Sequence, residues 1–67
     1  MAVSYNKLWK ILIDKSMTKT ELRRLSEMST ATLAKMSKNE VVSMDVILRI
    51  CMILDCNVGD IIDITKD

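Results

Sequence analysis

The side chains of this chain that could do chemistry gather in residues 18–38, which read TKTELRRLSEMSTATLAKMSK. Thr30, Ala31, Ala34 and Lys35 recur at spacings that share one face of a helix. Three of them are small enough for close approach to base pairs in a major groove, and Lys35 is long enough to reach a guanine edge or a phosphate. Ser29 and Thr32 add hydroxyls at the start of that helix, where outward-pointing amides suit a phosphate. The chemistry on offer is therefore non-covalent recognition. Catalysis finds little support, because the chain has no His, no Gly-rich phosphate loop and no Ser or Cys with a base at a recognisable spacing. Cys51 and Cys56 could in principle pair, but they do not repeat with metal-site spacing and read as buried thiols acting as small hydrophobes. No metal, cofactor or small-molecule ligand is expected.

The charge distribution agrees with an anionic partner. A formal net charge of +1 conceals a division along the chain. Residues 1–38 carry eight cations against three carboxylates, a net +5, whereas residues 39–67 carry two against six, a net −4. Screening makes the local field decisive over a Debye length of about 8 Å, so a basic half can meet phosphates on a nearly neutral protein. Arg23 and Lys10 join the candidate phosphate contacts as cations of that half.

Those side chains need elements to hold them. Sixty-seven residues make one domain at most, here 1–67 with the candidate motif at about 18–38. With no Pro, one Gly and only Tyr5 and Trp9 as aromatics, the core must be Leu, Ile, Val and Met in helices, and the fold class is all-α. Tyr5, Leu8, Trp9, Ile11 and Leu12 predict an amphipathic helix over about 4–15 with Ser4 as its N-cap. Thr18 with Glu21 is a capping box opening a second helix over about 19–26. Ser29 caps a third over 30–37, a loop covers 38–42, and Ser43 caps a fourth that reaches residue 54 or 55. Asn57 and Asp60 predict a last helical turn through residue 62, with 64–67 frayed or extended.

The turn at Glu27, Met28 and Ser29 is too short for antiparallel packing, so helices two and three meet steeply with Leu22, Leu25, Met28, Leu33 and Met36 in the corner. Helix four carries two apolar stripes. One is Met44, Ile47, Leu48, Cys51 and Leu54, the other Val46, Ile50 and Ile53. Either the second stripe joins Ile61, Ile62 or Ile64 in a homodimer contact, with Val46, Ile50, Ile53, Ile61 and Ile64 as its members, or the first helix and the tail cover it within one chain.

Thr18, Glu21, Leu22, Met28, Ser29, Thr32, Leu33 and Met36 stand in a pattern that resembles the lambda-repressor-like, Cro-type (xenobiotic-response-element-like) helix-turn-helix regulators. Ile50, Cys51, Leu54, Cys56, Gly59, Asp60 and Ile61 also resemble the closing helices of short, single-domain members. The resemblance implies a compact five-helix fold, a third helix in the major groove of double-stranded DNA, and a dimer on two half-sites. It places Thr30, Ala31 and Lys35, with Ala34 close by, at base-reading positions, and Lys19, Ser29, Thr32 and Lys38 at phosphates. The chain departs from the family pattern at Arg23, where a small residue is usual, and at Glu27, where Gly is usual and a left-handed backbone is expected. A first-helix Arg paired with a third-helix Glu is common in the family, and Leu12 and Ser37 stand there instead. The reading face also lacks Arg, Gln and Asn, the side chains best suited to bidentate base contacts.

Sequence-specific DNA binding and transcription regulation, as a repressor-type protein, is the function the resemblance implies. The alternative is a protein-interaction module, an anti-repressor or regulatory subunit with little DNA binding of its own. The longest apolar run, 50–54, is far below the ~20 residues of a membrane span, and no signal segment opens the chain, so a cytoplasmic, nucleoid-associated location is expected.

Overall fold

The computed structural model describes residues 2–65. Its order is β1 (Ala2–Ser4), α1 (Asn6–Asp14), α2 (Lys19–Ser26), α3 (Thr30–Ser37), α4 (Met44–Leu54), a 3-10 turn (Val58–Asp60) and β2 (Asp63–Thr65). Among the described residues this makes four α-helices and a two-stranded sheet, which corrects the all-α, five-helix expectation. The fifth helical segment is a single 3-10 turn. The sheet joins the two ends of the chain: β1 and β2 are antiparallel with Val3 opposite Ile64, and the Thr65 hydroxyl donates to the Ala2 carbonyl at 3.1 Å. Ser4 therefore lies in a strand, and α1 begins two residues later than its periodicity predicted. Its hydroxyl still accepts the Asn6 amide at 3.3 Å.

Three of the four helix starts follow their caps. The Thr18, Ser29 and Ser43 hydroxyls accept the amides of Glu21, Thr32 and Val46, so α2, α3 and α4 begin where the side-chain chemistry requires. The helix ends share one device. Ser16, Glu27, Asn39 and Asp55 are left-handed, with φ of 55°, 58°, 59° and 52°. The residue after each one donates back to the carbonyl five residues earlier: Met17 to Leu12, Met28 to Arg23, Glu40 to Lys35 and Cys56 to Cys51. This is the Schellman arrangement, built here without glycine at any of the four positions.

The core takes Leu8 and Leu12 from α1, Leu22 from α2, Met36 from α3 and five residues of α4, closed by Tyr5, Met28 and Ile61. Leu12 at the family's usual Arg position is thus an ordinary core residue, and no charge is buried there. Val46, Ile50 and Ile61 are sealed inside the same cluster, Ile50 and Ile61 completely. Of the five residues expected at a dimer contact, these three are unavailable as surface, Ile53 is half-buried, and Ile64 alone is exposed. The physical reason is that α4 packs on α2 and on the 3-10 turn within one chain, and its second stripe lies in the core cluster that they share. The outward residues of α4 are instead Met44, Leu48 and Met52, at i, i+4 and i+8.

Tyr5 ties the start of α1 to the loop after α3. Its amide donates to Asn39 Oδ1 at 3.3 Å, and its hydroxyl donates to the Glu40 carbonyl at 2.7 Å. Burial pushes the phenol above its ordinary range, partly offset by a backbone hydrogen bond from Val42, so the hydroxyl stays a donor at neutral pH. Tyr5→Phe is expected to lower the unfolding free energy by about 1 kcal/mol, measured by urea denaturation, because the Glu40 carbonyl loses its donor while the ring still fills the core.

Candidate nucleic-acid interface

The α2 start is fixed by a complete capping box: Glu21 N donates to Thr18 Oγ1 at 3.1 Å, and Thr18 N donates to Glu21 Oε1 at 3.2 Å. The chain leaves α2 through the left-handed Glu27, as its place in the turn predicted, and Met28 plugs the core before Ser29 caps α3. Glu27→Gly is expected to raise stability by a few tenths to about 1 kcal/mol in thermal or urea unfolding. It relieves the left-handed strain but adds freedom to the unfolded chain.

The corner between the helices differs from expectation in one member. Leu22, Met28 and Met36 are buried and Leu33 is half-buried, but Leu25 is 57% exposed. The inward face of α2 runs through Leu22 and Ser26, four residues apart, which turns Leu25 outward. Ser26 is the small residue at this crossing. Its hydroxyl returns to the Leu22 carbonyl at 2.7 Å, and its own carbonyl accepts Arg49 Nη1 from α4 at 2.9 Å. Arg49 also pairs with Asp45, so one guanidinium locks α4 to the last turn of α2.

With Met36 turned inward, α3 presents the opposite face. Thr30, Ala31, Ala34 and Lys35 are all exposed on it, while Thr32 is half-buried. The Ser29 hydroxyl accepts the Thr32 amide at 3.1 Å and lies 3.0 Å from the Thr32 hydroxyl, so both residues are held at the helix start. Lys38 is exposed at the end of α3. Lys19 opens α2, and its ammonium sits 4.2 Å over the Trp9 ring, a cation–π contact that holds the charge near the junction of α1 and α2. Arg23 is half-buried on α2, and Lys10 is exposed on α1, outside the helix-turn-helix.

Among the described residues the ion pairs are Lys7 with Asp63 and Arg49 with Asp45. Lys19, Arg23, Lys35 and Lys38 are paired with no carboxylate there. Among the described residues the acidic second half therefore pairs with Lys7 and with its own Arg49, and leaves the cations of α2 and α3 without a carboxylate partner. Asn39, Tyr5 and Arg49, which set the pose of α2 and α3, were not apparent from sequence because their partners are 23 to 35 residues away.

The sequence profile of the Cro/C1-type helix-turn-helix DNA-binding domain matches residues 7–67, nearly the whole chain. The chain belongs to this family. The Cro/C1-type domain accounts for the capped α2, the tight left-handed turn and the exposed α3 as parts of one DNA-binding unit. Among solved structures, the chain is similar to the crystal structure of the transcriptional regulator VanUg, with 53% identity, a TM-score of 0.95 and coverage of 98% of this chain and 88% of that one. No curated protein sequence matches the chain significantly. No helix among the described residues is long and apolar enough to cross a membrane.

Proposed function

We propose that this Cro/C1-type domain regulates transcription by placing α3 in the major groove of double-stranded DNA, the whole chain acting as a single reading unit. The observation that carries the reading is the exposed face of Thr30, Ala31, Ala34 and Lys35 on a helix pinned from behind by Met36. Thr30, Ala31 and Lys35 read base edges, with Ala34 permitting close approach. Lys19, Ser29, Thr32 and Lys38 hold phosphates, and Arg23 and Lys10 strengthen the basic field around them. The similarity to a transcriptional regulator over nearly the whole chain supports the regulatory role.

Two copies bind two half-sites in this reading. The exposed apolar face of α4, with Met44, Leu48 and Met52, is the contact that supports a homodimer, in place of the buried Val46, Ile50 and Ile61. Sedimentation that finds only monomer at tens of micromolar, and one chain per duplex on DNA, would remove the dimer.

The test of the function is selection of bound duplexes from a random-sequence pool, followed by anisotropy titration over a range of salt. A short, two-fold-symmetric sequence, with affinity falling steeply as salt rises, is expected. Lys35→Ala is expected to relax preference at one base position and cost about 1–3 kcal/mol there. Lys38→Ala weakens all sequences alike and reduces the salt slope by about 1. Equal affinity of wild type and Lys35→Ala for every duplex would remove Lys35 from the reading set.

A further inference from the structure

The end of α4 places two thiols together. Asp55 is left-handed, and the Cys56 amide donates to the Cys51 carbonyl at 3.1 Å, so the two cysteines occupy the positions that a Schellman ending brings side by side. The equivalent pair at the end of α1 is Leu12 and Met17, both turned toward the core. In α4 both of the positions so paired carry sulfur. Cys51 is buried and Cys56 is half-buried, and both are free thiols. Cys56 lines an open cleft of about 420 Å³ together with Ile11, Asp14, Lys15, Leu54 and Asp60. The buried thiol is shielded, and the neighbouring one is open to a small reagent.

We propose that Cys51 and Cys56 form a redox-active dithiol, a modification site that a low-molecular-weight disulfide oxidises to an intramolecular disulfide through the cleft. Cys56 Sγ attacks one sulfur of the reagent, forming a mixed disulfide and releasing one thiol, which takes the proton. Cys51 Sγ then attacks Cys56 Sγ, closing the Cys51–Cys56 bond and releasing the second thiol with the second proton. The two cysteines lose two electrons, and the reagent is reduced to two thiols. Burial raises the Cys56 thiol above its ordinary range, followed by Cys51 and then by Asp60 and Asp55, so the fraction of thiolate at neutral pH is small and the first step is slow. Once it has occurred, the second step is intramolecular between neighbours and fast. The site therefore responds to sustained oxidation and ignores brief exposure.

The test treats the folded, full-length protein with oxidised glutathione, then measures intact mass and alkylatable thiols. Wild type is expected to lose two hydrogens and both alkylatable thiols while remaining a single chain, and a reductant restores both. Cys51→Ala is expected to stop at the mixed disulfide on Cys56, and Cys56→Ser to lose the reaction because Cys51 is shielded. Wild type that stops at the mixed disulfide with Cys51 still alkylatable, that cross-links between chains, or that does not react would overturn the proposal. The wild-type mass decides it even where a variant fails to fold.

Discussion

Met36→Ala is expected to lower the unfolding free energy by about 2–5 kcal/mol, the range for truncating a fully buried large side chain. Met36 is 0% exposed and is the one residue of α3 that is buried outright, since Leu33 and Thr32 are only half-buried. Its loss leaves a cavity beneath the helix and removes the main attachment of α3 to the core. A chain this short buries a modest fraction of its surface on folding, so its total stability lies near the lower end of the usual 5–15 kcal/mol range, and this one change consumes a large part of it. Urea denaturation followed by circular dichroism measures the loss. Leu33→Ala, at a half-buried position on the same helix, is expected to cost clearly less.

Ala31→Glu is expected to abolish DNA binding in a protein that stays folded. Ala31 is exposed in the first turn of α3, where a carboxylate interacts favourably with the helix amides by about 0.3–1 kcal/mol, so stability is unchanged or slightly raised. In the proposed docking of α3 the same carboxylate would face base-edge acceptors and flanking phosphates. A loss of about 100-fold or more in affinity corresponds to roughly 2.8 kcal/mol and is the smallest effect consistent with close approach of this face. The opposite signs on folding and binding separate a contact role from a structural one. Full binding by a folded Ala31→Glu protein would show that this face does not meet DNA.

The helix-turn-helix was legible in the sequence because its boundaries are written in local chemistry. Thr18 with Glu21, Ser29 and Ser43 each accept the amide three residues on, and the helices start at the next residue in every case. The outer face of α3 was legible for the same reason: an eight-residue helix whose one strongly buried side chain is Met36 leaves the opposite side for Thr30, Ala31, Ala34 and Lys35. Features made by distant partners were hidden. The strands are three residues each and sit at opposite ends of the chain, too short for alternation to register, so Ser4 reads as a helix cap, and the extended backbone expected as one alternative at residues 64 and 65 carries no sign of its pairing with β1. Four left-handed helix ends carry Ser, Glu, Asn and Asp in place of the usual glycine, and Glu27 alone was marked by its place in the turn. The stripes of α4 showed that it had two sides to bury, but not which elements lay on each. Val46 and Ile50 lie in one core cluster with Leu22 of α2 and with Ile61, and Met44, Leu48 and Met52 were left outside.

That α3 is the DNA-reading surface is tested most directly by amide chemical-shift mapping of isotope-labelled protein titrated with a selected duplex. The largest shifts are expected on residues 29–35, with a second group at the start of α2 around Lys19 and at Lys38. The pocket-side residues of the α4 ending should stay unmoved. Shifts confined to the outer face of α4, around Met44, Leu48 and Met52, would contradict it by moving the contact off α3, and no shifts with any duplex at low salt would contradict it and assign the protein to a partner other than DNA.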